Sequence, residues 1–337
     1  MLFLYFVVMA EQIPFEEIKL DNLGMYLSRI GYGKVWLERD GTFLAASHYH
    51  IWHWDTAGRL INRMGGKGEG PGEFQGVGEV IWNGDYYWAI DNQRLISTIF
   101  DAEGRYLTRK PIYYRQFVRL EDQIFALDVG KFAVGVSEYP PLLQEINYRI
   151  KDGELEVEHT GFNFKKVTPK QVRLNFNFKL LWAVREADRY LVVDQLEPIM
   201  RIYDPATRKR EREIGNNQPF EPNFMPMELK SWEDPPDSWT QQGGTARDFR
   251  QWWQSWSRIN YFGKAGDDYV VAYEIPNEED PESSLQAVQR IAKDGHAIGE
   301  PLIIQGYCMG SRDNKVYMFH ENEDSEKFEY YVRIYRF

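Results

Sequence analysis

Gly65-Gly66-Lys67-Gly68-Glu69-Gly70-Pro71-Gly72-Glu73-Phe74 is the stretch whose reading decides the fold. Its glycines supply backbone angles that other residues resist, so the run is a tightly turned loop. Phe74, the apolar residue at its end, reads as a plug for the gap between two neighbouring sheets. Strand-like runs follow at Val80-Ile81-Trp82, Ala89-Ile90-Asp91 and Ile99-Phe100-Asp101, with Gly104 beyond. The landmarks recur: residues 84–91, 97–101 and 106–107 are echoed by 41–47, 51–55 and 60–61, and again by 188–194, 200–204 and 212–215. Asp91 precedes Asp101, and Asp194 precedes Asp204, by the same ten positions; Ser47 and Asp55 are eight apart, a shorter loop. Each unit reads as strand, turn, strand, turn, strand. An Asp at a strand end makes a turn because its carboxylate bonds the amides that follow and a later Gly accepts positive φ.

Three further segments fit this template more loosely: 131–138 with 143–153, 268–274 with 287–295, and 315–320 with 330–337. The last unit lacks an outer strand, and residues 15–20 (FEEIKL) are a spare strand near the other end. The expectation is an all-β, six-bladed β-propeller with four strands per blade, closed by pairing the N-terminal strand with the last blade, which hides unpaired strand edges. Residues 11–337 form one domain, with an insertion at 216–258 between the fourth and fifth blades. In that insertion Phe249, Trp252, Trp253 and Trp256 share one face at helical spacing, with Thr245 and Asp248 as a capping pair. The spacing predicts a short helix over 246–258, whose aromatic face either packs on the propeller or serves as a ligand platform.

The run at 65–74, preceded by Arg63 and followed by Val80-Ile81-Trp82, Ala89-Ile90-Asp91, Ile99-Phe100-Asp101 and Gly104, resembles an NHL repeat. It is similar to six-bladed propellers of Bacteroidetes in which a GxGPGEF-type run precedes a blade. The match is close over about one blade, moderate over two and in outline over three. The resemblance implies the fold and an exported or lipid-anchored protein, and says little about activity. The chain departs from the lipid-anchored pattern in having no Cys near residue 10.

Composition narrows the function. The 337-residue chain carries a net charge of −11, a field that repels nucleic acid, and no long basic run offsets it. Its densest basic cluster, residues 208–212, is broken by Glu211 and reads as an exposed strand edge. The single cysteine, Cys308, excludes an internal disulfide and reads as a buried thiol. Residues 1–10 (MLFLYFVVMA) are too short to span a bilayer and read as the apolar part of a truncated export signal, the other reading being a buried N-terminal strand. The expected location is therefore periplasmic or extracellular, and cytoplasmic if Met1 is the true start. No later run is apolar enough for a membrane helix.

The second strands of the six units end at Ser47, Asp91, Glu138, Asp194, Glu274 and His320. With Trp252 and Trp256 these form the expected ligand-binding face. The carboxylates could hold Ca²⁺ or another divalent metal through oxygen ligands, or each Asp could simply cap its own turn. His48 and His50 would point the same way in an extended chain and, with His320, could share a metal; a three-His zinc site would resemble the amidating-lyase branch of NHL-like propellers. His320 and Glu274 are the candidate catalytic groups. The glycine loop lacks the Gly-Lys-Ser/Thr ending of a phosphate cradle, and Glu69 and Glu73 would repel an anion. The leading expectation is a non-catalytic module binding a protein, peptide or glycan; the alternative is a divalent-metal-dependent lyase or lactone hydrolase, and a third is a scaffold in an envelope assembly.

Overall fold

A computed structural model of the chain describes residues 14–21, 35–111, 114, 116–120, 123–127, 144–151, 154–159, 181–195, 197–207, 209–215, 256–276, 285–322 and 329–337. Among the described residues every regular element is a strand and none is a helix. The N-terminal strand β1 (Phe15–Lys19) stands apart in sequence from the sheet it joins. Five sheets are antiparallel meanders of four consecutive strands. The first contains β2 (Val35–Leu37), β3 (Phe43–Ala46), β4 (His50–Trp54) and β5 (Leu60–Gly65). The second contains β6 (Val77–Trp82), β7 (Tyr86–Asp91), β8 (Ile96–Asp101) and β9 (Tyr106–Lys110). The third contains β10 (Gln116–Leu120), β11 (Gln123–Leu127), β12 (Gln144–Lys151) and β13 (Glu154–His159). The fourth contains β14 (Leu181–Glu186), β15 (Arg189–Asp194), β16 (Glu197–Tyr203) and β17 (Arg210–Gly215). The fifth contains β18 (Arg258–Ala265), β19 (Asp268–Ile275), β20 (Leu285–Ile291) and β21 (Ala297–Gln305). A composite sheet joins β22 (Tyr307–Arg312), β23 (Lys315–Asn322) and β24 (Glu329–Arg336) to β1, in the order β1-β24-β23-β22. The repeated four-stranded meander makes this an all-β propeller fold.

The chain divides into two compact units, one containing Thr168–Met318 with both chain ends, the other Glu17–Val167 with Phe319–Arg333. In each unit the sheets are apolar on both faces. Along β7, Tyr87 and Ala89 join the core shared with the first sheet, while Trp88 and Ile90 join the core shared with the third. Along β19, Tyr269, Val271 and Tyr273 pack with the fourth sheet, while Val270 and Ala272 pack with Val316 and Met318. Side chains alternate across a strand, so a continuous apolar run requires a partner sheet on either side.

The spare N-terminal strand lies where the sequence places it, beside the last strand. The backbone N–H of Leu20 donates to Tyr330 O at 2.9 Å, and Arg333 pairs with Glu17 at 2.8 Å. Lys19 pairs with Glu329, and Glu16 with Arg336. The chain then reaches the first sheet, where the N–H of Asp21 donates to Gly58 O at 2.8 Å and the Asp21 carboxylate accepts the N–H of Leu60 at 3.0 Å.

Two expectations change. The second strand of the third sheet is β11, residues 123–127, and not 131–138, so Glu138 does not end that strand and lies outside the described residues. Both runs are apolar and of strand length; pairing of Ile124 with Ile146 selects the earlier one. The predicted helix over 246–258 falls outside the described residues up to 255. At its end, Trp256 lies in a bend and Arg258 opens β18 paired to Glu274, so the last residues of that prediction are extended.

Phe74 is fully buried among Leu44, Ala46, Ile51 and Met64 of the first sheet and Val77, Val80 and Phe100 of the second. Phe74→Ala should cost about 3–5 kcal/mol, read as a lowered urea midpoint at unchanged slope. A loss below about 1 kcal/mol would mean that the aromatic plug does not hold the two sheets together.

Candidate binding face

The glycine-rich loop is held by Asp91. Oδ2 of Asp91 accepts the N–H of Gln75 and Nε of Arg94, both at 2.8 Å, and Oδ1 accepts the N–H groups of Gln93 and Arg94 at 3.0 Å. The Arg94 guanidinium also donates to Glu73 O. Burial would raise the Asp91 pKa, but the Gln75 and Arg94 amides, the Arg94 side chain and the Gln93 amide outweigh it and hold the carboxyl below its ordinary value. Asp91 therefore ties the end of β7 to the loop that enters β6. Gly65, at φ 93°, could not carry a side chain: a Cβ there would sit 2.4 Å from Tyr49 O. Asp55, Asp101 and Asp204 cap the turns after the third strands in the same way, each accepting two following amides.

Glu274, near the end of β19, is buried and paired with the equally buried Arg258 of β18 at 2.5 Å. Gln286 is its cross-strand neighbour on β20, and the Gln286 Oε1 accepts the Cys308 N–H at 3.0 Å. Beside this row, Ser257 Oγ, Gln195 Oε1, Gln286 Nε2 and Trp256 Nε1 are buried without a hydrogen-bond partner among the described residues. Trp256 itself is half-buried, and Trp252 lies outside the described residues. Asp194 closes β15, opposite Glu197. Burial pushes the Cys308 thiol well up, which keeps it from acting as a thiolate nucleophile.

The histidine set comes out differently from the extended-chain reading. Ser47 closes a tight turn, its N–H donating to His50 O at 2.8 Å, so His48 and His50 do not stand along one strand. His48 is exposed. His50 Nε2 accepts from the Arg63 guanidinium at 3.0 Å, and burial together with Arg63 lowers its pKa. His320 is buried, its pKa pushed down to about 3 first by burial and then by Arg333, and its Nε2 has no hydrogen-bond partner among the described residues. No group of three His, Cys, Asp or Glu among the described residues is placed to hold a metal, so the set His48, His50 and His320 does not assemble.

His53, which the spacing of His48 and His50 does not single out, has both ring nitrogens in hydrogen bonds. Thr42 Oγ1 donates to Asp40 Oδ1 at 2.6 Å and lies 2.7 Å from His53 Nε2; His53 Nδ1 lies 2.6 Å from Tyr87 OH, which accepts from Asn62 Nδ2 at 2.9 Å. With the Thr42 proton committed to Asp40, Nε2 donates to Thr42; burial keeps the imidazole neutral, so Nδ1 accepts from Tyr87 and both ring nitrogens are bonded. Burial lowers its pKa to about 4, Asp40 opposing weakly, and raises that of Tyr87 to about 12. The network joins the first sheet to the second; its signal in the sequence was His53 alternating with Trp52 and Trp54 on a buried strand.

Two outcomes test these pairings. Above pH 6.5 neither the folded nor the unfolded state protonates His53. Between 6.5 and about 4 the unfolded chain binds a proton that the folded one excludes, so stability falls with pH by at most about 3 kcal/mol and levels off below. Urea titrations across that range should show this slope, and His53→Gln should flatten it; His320 contributes to the remainder in the same direction. Separately, Glu274→Ala removes the carboxylate paired with buried Arg258 and should cost about 3–5 kcal/mol, whereas the joint change Glu274→Leu with Arg258→Met should recover most of that. Equal losses for the single and the joint change would show that pairing is not what keeps these charges inside.

No protein-family profile and no curated protein matches the chain. Solved structures do. A member of the DUF4221 family from Bacteroides vulgatus superposes with a TM-score of 0.58 at 11% identity, over 96% of this chain and 99% of that one. An exported-protein candidate from Bacteroides fragilis superposes with a TM-score of 0.53 at 12% identity, over 97% of this chain and 96% of that one. At these identities the likeness is one of fold. No helix among the described residues is long and apolar enough to cross a membrane.

Proposed function

We propose that the chain is a non-catalytic binding module: a single six-bladed, NHL-like propeller over residues 11–337, exported to the periplasm or cell exterior, that holds a protein, peptide or glycan at the loop face where the second strands end. The observation that carries this reading is the internal use of the groups that would otherwise do chemistry. Both oxygens of Asp91 are spent on the loop and Arg94, and Glu274 is paired with Arg258. A general acid or base needs a free, reachable proton site, and a hard cation needs several converging oxygens. Export is supported by the apolar stretch at 1–10 and by the fold shared with the Bacteroides fragilis protein.

Labelled protein applied to peptide and glycan arrays should give saturable binding that Trp256→Ala weakens. In parallel, metal analysis of protein purified without chelators should find less than one calcium or zinc per chain. A stoichiometric metal, lost together with lyase or lactone-hydrolase turnover in Asp194→Ala or His320→Ala, would overturn the reading in favour of the metal-dependent enzyme.

A further inference from the structure

We propose that Asn83 is a latent deamidation site, held unreactive by the contact between the second and third sheets. This chemistry is independent of ligand binding. Asn83-Gly84 is the only Asn-Gly pair in the sequence, and it forms the exposed turn between β6 and β7. In an asparagine followed by glycine, the next backbone nitrogen attacks the side-chain Cγ. A Cγ–N bond forms, the Cγ–Nδ2 bond breaks, and the proton of the attacking amide leaves with Nδ2 as ammonia. Water then opens the succinimide to aspartate or isoaspartate; nothing is oxidised or reduced. The attack needs an unhindered Gly84 nitrogen and a Cγ free to reach it.

The nucleophile is open. Gly84 is exposed, a Cβ there would meet nothing within 4 Å, and its N–H donates to no described residue. Its φ of 101° is one that other residues resist, so the turn that joins the two strands also leaves the attacking nitrogen bare. The electrophile is held. Asn83 Oδ1 accepts the N–H groups of Asp85 at 3.0 Å and Tyr86 at 2.8 Å, and Nδ2 donates to Tyr148 OH at 2.6 Å. Only the amide oxygen can accept from backbone N–H groups, which fixes Nδ2 on the side of Tyr148. Ring closure draws Cγ onto the Gly84 nitrogen and expels Nδ2, so the bond to Tyr148 has to break. The bonds from Asp85 and Tyr86 lie within the hairpin, whereas Tyr148 belongs to β12 of the third sheet and packs edge-on against Trp88 of β7, ring centres 5.0 Å apart. Separating the third sheet from the second therefore frees the leaving group, and a modified residue 83 records that the opening took place.

The test follows conversion at residue 83 in the full chain, incubated in mildly alkaline buffer, by peptide mapping with mass spectrometry and an isoaspartyl methyltransferase assay. Conversion should be slow in the folded protein, roughly three- to tenfold faster in Tyr148→Phe, and fastest in the urea-unfolded chain, as one and then all three hydrogen bonds are lost. Tyr148→Phe keeps the ring against Trp88 and removes only the hydroxyl. Phe74→Ala weakens the fold at the other end of β6 while leaving Asn83 bonded; under conditions where it stays folded it should convert at the wild-type rate. Equal rates in the folded and unfolded wild type, or no conversion in either, overturn the proposal. So does a Tyr148→Phe rate equal to wild type, which removes Tyr148 as the guard, or an equal acceleration by Phe74→Ala, which assigns the reaction to global unfolding.

Discussion

Apolar residues on both faces of each sheet are the constraint from which the rest of the molecule follows. A sheet with one greasy face can be covered by a single partner. Strands such as β7 and β19 send alternate side chains into two different cores, so each of their sheets must be covered twice. Stacking similar sheets face to face meets that demand with one repeating solution, and the meander connection keeps consecutive strands adjacent. The sheet built from both chain ends obeys the same logic, since without β1 the outer side of β24 would be a bare edge.

Double coverage also governs the polar groups. Wherever a strand end is drawn inside, a carboxylate there needs partners, because an unpaired buried charge is costly. Asp91 finds them in loop amides and Arg94, Glu274 in Arg258. Asp91 and Glu274, which looked like convergent acids in a linear reading, thus tie a strand end to a loop and one strand to the next. At the sheet's outer side the pressure is absent, and charges there are free to face solvent or a partner. The contrast between Glu274 inside and Arg63 outside is one of burial and not of residue type.

Spacing along the chain was enough to reveal the repeat, the aspartate turns, Phe74 as a plug and residues 15–20 as the missing strand. These features are local, or depend only on one strand being left over, so periodicity carries them. Long-range pairing was not legible. Nothing in the linear order says that Ile124, not the run at 131–138, meets Ile146, or that Arg258 opens a strand opposite Glu274. The histidines show the same limit: a tight turn at Ser47 separates His48 from His50, and the buried register makes His53 the connected one. Sequence alone marked many of the strand segments, though not 123–127 or the start of the strand at Arg258, because side-chain alternation and turn chemistry act over a few residues. Only the tertiary structure decided which polar groups are spent and which are open, because that depends on the neighbour each strand meets after the chain has folded back.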